Sequence, residues 1–313
     1  MTIDRGETIS RIKDWPKEDL VEEVLHFQEV ASLVLPRKKQ FPHLSNIDYF
    51  LAIEPLKGCV GGDHIIVVNF DEYHLEERIA AARNDGDAEL ASTLEKNRDR
   101  FGILIADAAG HMVSDSVTVN YLHAAFKIGV AYELTLHGEI TRGLFEMLNT
   151  NFYNHSTPEF LKGKPYITLI YGEVKNDGRF RFLSAGHPPP IVFSNEYDKI
   201  VVLDGVKNST PLGIFPSQYH VNGEQFNPAV RTKTRYPVNE ITLLGAGDIL
   251  LLYTDGLSEQ HEGRSNFCET HLEETLRENK SRSAREISAA IRQSLRRFCP
   301  PEDDLAMIVI KKL

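Results

Sequence analysis

The sequence predicts an α+β protein with antiparallel sheets, and three observations carry this prediction. Strand-like segments follow one another directly between residues 165 and 204. Helical patterns come as a pair at about 113–131 and 139–153, and do not alternate singly with strands. A further strand-like segment, LAMIVIKK, stands at 305–312 after a helical region. Parallel strands need a crossover helix between them, so this order favours antiparallel sheets with helices packed on them.

In the first third of the chain, each predicted element rests on a local pattern. The segment WPKEDLVEEVLHFQEVASLVLP at 15–36 has apolar residues at helical spacing and ends at a proline, which predicts one helix. NIDYFLAIEP and IIVVNF are typical of strands. The charged stretch at 71–100 predicts two helical pieces, separated where Asn84, Asp85 and Gly86 interrupt the pattern.

The rest of the chain is predicted in the same way. The run FGILIAD is apolar up to Asp107 and indicates a buried strand. Four further strands are predicted for PYITLIYGEV, RFRFLSAG, PPIVFS and KIVVLD. The polar stretch at 215–240 contains Pro216, Pro228 and Pro237 and predicts an extended loop. The strand-like run DILLLYTDG follows, and then a helical region that reaches Phe298.

Composition excludes several classes of function. The chain has 313 residues, a formal net charge of −10 and an apolar content of 42%. Binding to nucleic acid depends on clustered lysine and arginine, so this acidic balance argues against it. Three separated cysteines form no CxxC pair, which argues against zinc and disulfides and favours a reducing cytoplasm. The polar N-terminus and the absence of an 18-residue apolar run predict neither a signal peptide nor a membrane span.

Aspartates stand at the ends of four predicted strands. Asp63 precedes IIVV, Asp107 follows GILIA, Asp255 follows ILLLYT, and Asp303 with Asp304 precedes LAMIVI. A single aspartate of this kind is an ordinary turn residue or helix N-cap. Several carboxylates brought together would repel one another unless a cation lay between them. Oxygen ligands suit Mg²⁺ and Mn²⁺, so a shared cation site is predicted if the fold brings these turns together.

Other interpretations of the same segments are weaker. GGD at 61–63 is similar to a signature of diguanylate cyclases, but His64 stands where that signature has an acid. GCVGG is followed by no Gly-Lys-Ser/Thr and is therefore not a phosphate-binding loop. His111 and His187 are as consistent with turns as with catalysis. Cys59 precedes a glycine turn, and its position favours the core over a nucleophilic role.

A set of motifs in one order resembles a known family. VGGD, ADAAGH and FLSAGHPPPIVF come first, and TPLGI, GAGDILLLYTDGLSE and DDLAMIVI follow. Together they resemble the SpoIIE-like phosphatases, the bacterial branch of the metal-dependent PPM-type serine/threonine phosphatases that includes the RsbU-type stress regulators. The AGHPPP and YTDGLSE blocks are the most specific. The resemblance spans about residues 20–312.

The resemblance implies a fold and a site. It implies an αββα sandwich of two antiparallel sheets flanked by helices, with two Mn²⁺ or Mg²⁺ ions at one edge. By motif, Asp63 and Asp107 correspond to catalytic metal ligands, with Asp107 bridging the pair. Asp255 and Asp303 correspond to ligands of one ion, and the carbonyl of Ala108 corresponds to a backbone ligand.

The resemblance also implies a reaction and a partner. Water activated between the two metals would hydrolyse phosphoserine or phosphothreonine without a covalent protein intermediate. The expected substrate is a phosphorylated STAS-domain antagonist of an anti-sigma factor. Neither nucleic acid nor a membrane is expected as a partner.

Three positions depart from the family pattern. Ile66 stands where a second acid is common, Met112 where a glycine ends the second motif, and Ala306 where threonine is usual. The principal aspartates remain, which favours an active enzyme. The alternatives are a weak or inactive phosphatase-fold adaptor that binds a phosphoprotein, and a phosphatase of small phosphoesters.

The predicted organisation is an N-terminal helical regulatory or linker segment at 1–40 and a phosphatase domain at 41–313. Two stretches exceed the usual family length, at about 72–99 and 215–240, and each is either a tolerated surface insertion or a docking element. The helix at 17–34 either packs on the domain or receives a separate activator protein or a second copy of the chain.

Overall fold

The computed structural model shows the predicted α+β architecture as four layers. It describes residues 13, 15–37, 41–109, 115–155, 166–217, 236–243 and 245–313. Two five-stranded sheets pack face to face, and helices cover the outer face of each. The predicted αββα sandwich of two antiparallel sheets is therefore confirmed.

The described helices and strands follow the order of the sequence prediction. The helices are α1 Lys17–Ala31, α2 Leu75–Asn84, α3 Ala88–Glu95, α4 Asp115–Leu136, α5 Arg142–His155, α6 Asp255–Ser258, α7 Phe267–Thr270, α8 Leu272–Asn279 and α9 Ala284–Phe298. The strands are β1 Ile47–Glu54, β2 Asp63–Val68, β3 Arg100–Ala108, β4 Ile167–Lys175, β5 Arg179–Ala185, β6 Ile191–Ser194, β7 Lys199–Val201, β8 Val238–Thr242, β9 Ile249–Tyr253, β10 His261–Glu262, β11 Ser265–Asn266 and β12 Leu305–Lys312.

The strand order explains how distant motifs meet. Sheet one has the order β1-β12-β9-β6-β7, and sheet two has the order β2-β3-β4-β5-β8. Every neighbouring pair is antiparallel. In sheet one the C-terminal strand β12 lies between β1 and β9. The turn that precedes β12 and the turn that follows β9 therefore lie at the same end of the sheet.

The side chains of the strands alternate between the two faces of each sheet and contribute to three hydrophobic cores. Ile65 of β2 and Ile105 of β3 face the space between the sheets, whereas Ile66 and Leu104 face the helices over sheet two. Side chains of a strand point to opposite faces in turn, so both faces of these strands are apolar and buried. A third core lies between sheet one and helices α6 to α9. This burial on both sides fixes the register of the strands that end in aspartates.

The charged stretch at 71–100 contributes to the core. Its two helices are separated at Gly86, which has a φ of 78° as a left-handed turn residue requires. Leu75, Ile79 and Leu94 are buried in the cluster over sheet two. The predicted two helical pieces are thus present, and their apolar sides pack against sheet two.

The predicted loop at 215–240 is described only at its ends. Residues 218–235 lie outside the described part of the chain. The side-chain amide of Asn149 donates hydrogen bonds to the carbonyl of Phe215 and the hydroxyl of Ser217. At the other end the stretch becomes β8 at Val238, because that segment pairs with the edge of β5. The short β10–β11 hairpin was also absent from the sequence prediction.

The N-terminal helix is shorter than the predicted segment and is largely exposed. After α1 a 3₁₀ turn covers Ser32–Val34. Gln28 and Ala31 are the buried residues of α1, whereas Val24 is half exposed. None of the helices in the described part of the chain combines the length and apolar character needed to cross a bilayer.

Candidate metal centre and active site

The strand-end aspartates lie at one edge of the sandwich. Asp63 begins β2 and is paired directly with Asp107 near the end of β3. Asp255 begins α6, two residues beyond the end of β9, and Asp303 stands two residues before β12. A Cβ built on Gly256 would lie 1.8 Å from the carbonyl oxygen of Asp304, so these last two turns are in direct contact.

The two paired aspartates face the interior of the sandwich. Ile65 and Ile105 belong to the core between the sheets, and Asp63 and Asp107 stand two residues from them on the same strands. A two-residue step keeps a side chain on the same face. Both carboxylates therefore point toward sheet one, where Asp255 and Asp303 stand.

A hydrogen bond joins the sheets at Asp63. The hydroxyl of Thr254, at the end of β9, donates to the carboxylate of Asp63 at 2.6 Å. The same hydroxyl oxygen accepts a hydrogen bond from the backbone N–H of Ala306 at 2.9 Å. Asp63 is 5% exposed, so this bond fixes a carboxylate that water barely reaches.

Asp303 and Asp304 have different surroundings. The two carboxylate oxygens of Asp304 accept from the backbone N–H groups of Leu56 and Gly62, at 2.6 and 2.8 Å. Asp304 thereby holds the loop that leads to Asp63. Asp303 accepts from the backbone N–H of Asp304 at 2.8 Å, through one oxygen. Asp303 is also the more exposed of the two. Asp303 is thus the less constrained of the two carboxylates, and its role as a cation ligand stays a prediction.

The carboxylates are electrostatically coupled. Burial raises the pKa of Asp63 well above its usual range, and the charge of Asp107 raises it further, against the Thr254 hydrogen bond. Burial and the charges of Asp255 and Asp303 raise the pKa of Asp107 to about 7. Burial, Asp303 and Glu259 raise the pKa of Asp255 to about 6. Mutual repulsion of this kind is what a cation between the groups would relieve.

The donor chemistry fits hard divalent cations. The edge offers carboxylate oxygens, the ligand type that Mg²⁺ and Mn²⁺ take. Among the described residues, however, no group of three histidine, cysteine, aspartate or glutamate side chains already converges on one point. The carboxylates approach this edge from several turns, and their mutual effect on pKa shows that they lie near one another.

The remaining predicted ligand is a backbone group. Ala108 is 2% exposed, and its N–H donates to the carbonyl of Gly62 at 3.1 Å. This bond ties the end of β3 to the glycine that precedes Asp63. A metal-ligating role for the Ala108 carbonyl remains a prediction. His111 and Met112 lie outside the described residues.

Two of the departures from the family pattern have a clear place. Ile66 is 1% exposed and packs among the helices over sheet two, on the opposite face of β2 from Asp63. Ala306 is fully buried between the sheets, and its backbone N–H and carbonyl both bond to Thr254. Neither residue interrupts the hydrogen bond between Thr254 and Asp63.

Sequence reasoning missed Thr254 and the structural role of Asp304. Leu250 and Leu252 face the core between the sheets, so two-residue alternation along β9 could have placed Thr254 on the same face. Its partner Asp63 is 191 positions away. No local pattern could have identified that contact.

An αββα sandwich with carboxylates gathered at one edge has the architecture of the PP2C-like phosphatases. The family model for stage II sporulation protein E (SpoIIE) matches residues 97–312, more than half of the chain. The chain therefore belongs to the SpoIIE family, a branch of the PPM-type serine/threonine phosphatases.

Solved structures share this fold at low sequence identity. The PP2C domain of SiaA from Pseudomonas aeruginosa is 14% identical with a TM-score of 0.63, covering 94% of this chain and 98% of that one. The RsbU and RsbW domains of a Mycobacterium tuberculosis protein are 19% identical with a TM-score of 0.57, covering 87% of this chain. This chain spans 61% of that protein's chain. RsbX in complex with magnesium is 14% identical with a TM-score of 0.50, covering 87% and 98% of the two chains.

Proposed function

We propose that this protein is a divalent-cation-dependent phosphatase of phosphoserine and phosphothreonine in proteins. The observation that carries the proposal is the coupling of Asp63, Asp107, Asp255 and Asp303 at one edge of the sandwich. Buried carboxylates that raise one another's pKa are unfavourable in an empty site and suited to a cation. Family membership supports the same activity.

In this proposal, Asp63 and Asp107 are the catalytic carboxylates, and both would hold the cations. Asp255, Asp303 and the carbonyl of Ala108 complete the ligand set. Two such ions, Mn²⁺ or Mg²⁺, supply charge neutralisation for the phosphoryl oxygens and activate water for in-line attack. The chain's own contribution is to hold the oxygen ligands in place.

Residues around the carboxylates limit how far they can move. Thr254, at the end of a strand of sheet one, donates a hydrogen bond to Asp63. Asp304 accepts hydrogen bonds from the backbone N–H groups of Leu56 and Gly62. Removing such supporting contacts typically lowers metal affinity or activity by about 10–100-fold.

Cys59 is exposed, and its backbone N–H and thiol both donate to the side-chain oxygen of Gln28. These contacts are consistent with a structural role, and the proposed reaction needs no cysteine nucleophile.

We further propose a phosphorylated STAS-domain antagonist of an anti-sigma factor as the substrate, in the cytoplasm. Its support is membership of the SpoIIE family and the similarity to a protein that carries RsbU and RsbW domains. The exposed apolar residues Val21, Val24 and Leu25 of α1 support the helix at 17–34 as a binding surface for an activator or a second copy.

The proposed organisation keeps 1–40 as a regulatory or linker segment and 41–313 as the phosphatase domain. Buried Gln28 and Ala31 attach this segment to the domain. Gln28 does so beside Gly58 and Cys59, in the loop that leads to Asp63.

A phosphatase-fold adaptor is the alternative, and one observation favours it. No three potential ligand side chains in the described part of the chain already converge on one point. Such a protein would bind its phosphorylated partner without hydrolysing it.

Hydrolysis of an aryl phosphate and of a phosphoserine peptide, with Mn²⁺, with Mg²⁺ and with chelator, tests the proposal. We expect turnover with a divalent cation, none with chelator, and loss of turnover in Asp107→Asn. Thr275→Val is the matched control and should retain turnover, because Thr275 lies on α8, in the helical layer that covers sheet one. Binding of a phosphopeptide without turnover by the folded, cation-loaded chain would support the adaptor instead.

A further inference from the structure

A threonine completes the row of residues that contains the paired aspartates. Asp107 is paired with Asp63 on β2 and with Thr168 on β4. Directly paired residues of adjacent strands project from the same face of a sheet, with Cβ atoms about 4.5–5.5 Å apart. Thr168 therefore stands beside Asp107 on the face that points toward sheet one.

A buried histidine contacts this threonine. The hydroxyl oxygen of Thr168 lies 2.8 Å from Nδ1 of His187, a hydrogen-bonding distance for either tautomer of the ring. His187 is 1% exposed, so its ring is enclosed by the protein. Burial lowers the pKa of His187 to about 3, so the ring is neutral at physiological pH. A neutral, buried histidine beside this row of residues is not explained by the proposed reaction.

His187 reaches from one sheet toward the other. Thr168 belongs to sheet two, and Tyr253 belongs to sheet one. Burial lowers the pKa of His187, and the nearby backbone of Tyr253 raises it in part. The residue after Tyr253 is Thr254, which donates to Asp63. The ring thus lies between the strand that flanks Asp107 and the strand whose end holds Asp63.

The turn that carries His187 is held firmly. Gly186 has a φ of 70°, and a Cβ there would lie 2.3 Å from the ring of Pro211. The side chain of Asn208 accepts from the N–H of Gly186 at 2.8 Å and donates to the carbonyl of His187 at 3.0 Å. These contacts fix the backbone on both sides of the histidine Cα and so limit where its ring can lie.

We propose that His187 and Thr168 are positioning residues for the Asp63–Asp107 pair. Their contact sets the side-chain rotamer of Thr168 beside Asp107 and the spacing of the two sheets at this edge. Neither residue touches the reacting atoms. This inference rests on the proposed cation-dependent function, because its consequence is a change in cation affinity.

Thr168→Val tests the inference because valine keeps the shape of threonine and removes the hydroxyl. Thr168→Ser restores a hydroxyl and is the rescue variant. Thr275→Val is the matched control, since Thr275 also makes buried hydroxyl contacts, with Ser294 and the carbonyl of His271, away from the aspartates. If Thr168→Val fails to fold, His187→Asn is the second variant that removes the same contact.

The readouts are Mn²⁺ affinity by calorimetry, thermal unfolding without metal, and aryl phosphate turnover at saturating Mn²⁺. We expect Thr168→Val to weaken Mn²⁺ binding about 10-fold, with recovery in Thr168→Ser and no change in Thr275→Val. Equal Mn²⁺ affinity in Thr168→Val, Thr275→Val and the wild type would overturn the inference and leave the proposed function standing. Failure of the wild type itself to bind Mn²⁺ would overturn both.

Discussion

Thr254 joins the two sheets through Asp63. Its hydroxyl donates to the carboxylate at 2.6 Å and accepts from the backbone N–H of Ala306 at 2.9 Å. The end of β9, in sheet one, thereby orients a carboxylate that belongs to the facing sheet two. The arrangement of the aspartates thus depends on how the sheets pack, and the strand ends alone do not determine it.

Removing this hydroxyl should weaken the site. We expect Thr254→Val to reduce Mn²⁺-dependent turnover and Mn²⁺ affinity by about 10–100-fold, because Asp63 loses the hydrogen bond that orients it. The N–H of Ala306 also loses its partner, at a cost of about 1–3 kcal/mol in unfolding free energy. Steady-state kinetics over a Mn²⁺ titration and denaturant unfolding measure the two effects. Thr254→Ser should restore most of both, and full turnover in Thr254→Val would show that the bond is dispensable.

The adjacent aspartates Asp303 and Asp304 should respond in opposite ways to the same substitution. Asp304→Asn leaves one of the N–H groups of Leu56 and Gly62 facing an amide, which should lower the unfolding free energy by about 1–3 kcal/mol. Asp303→Asn removes a charge that raises the pKa of Asp107 and Asp255, so metal-free stability should hold or rise while Mn²⁺ affinity falls. Chemical denaturation with chelator and Mn²⁺ calorimetry separate the two variants. The opposite result, with Mn²⁺ affinity lowered in Asp304→Asn and stability lowered in Asp303→Asn, would identify Asp304 as the cation ligand.

His187 should give a defined pH dependence to stability. Its pKa in the folded protein, about 3, lies below the 6.5 that is usual for histidine, so protons bind preferentially to the unfolded chain between these two pH values. Its contribution is therefore fully present above pH 6.5 and is lost as the pH falls toward 3. The stability advantage of the wild type over His187→Asn should shrink by about 1–2 kcal/mol from pH 7 to pH 5. Denaturant unfolding with chelator measures it, and a constant difference would mean that the ring is not buried.

Cation binding should release protons near neutral pH. In the metal-free protein the pKa of Asp107 is raised to about 7 and that of Asp255 to about 6, so both carry protons in part at pH 6. A cation requires the ionised form, so binding at pH 6 should displace these protons and binding at pH 8 should displace fewer. Apparent Mn²⁺ affinity should accordingly rise from pH 6 to pH 8. Calorimetry in buffers of different ionisation enthalpy counts the protons, and equal counts at the two pH values would contradict the coupling.

Strong local patterns determined what the sequence could predict about the fold. Long apolar runs such as FGILIAD and ILLLY became buried strands in the predicted places. The break at Asn84–Gly86 separated two helices as expected. The strand β8 and the β10–β11 hairpin were missed, because both depend on pairing with another segment and carry weak patterns of their own.

The candidate site was predictable only in part. Glycine and alanine beside strand-end aspartates indicated the right turns, and sheet topology brings those turns to one edge. The contacts by which Asp304 holds the loop before Asp63 were not predictable, since they involve backbone N–H groups more than 240 positions away. The contact between Thr168 and His187 likewise joins β4 to the turn after β5. Contacts of this kind follow from packing and have no local signal.

The number of Mn²⁺ ions bound per chain tests the central claim most directly. Equilibrium dialysis of the wild type, Asp107→Asn and the control Thr275→Val would give this number, because Asp107 is the residue proposed to contribute to the binding of both ions. We expect two ions per chain in the wild type and the control, and at most one in Asp107→Asn. Two ions in Asp107→Asn, or none in the folded wild type, would contradict a two-cation site at these aspartates.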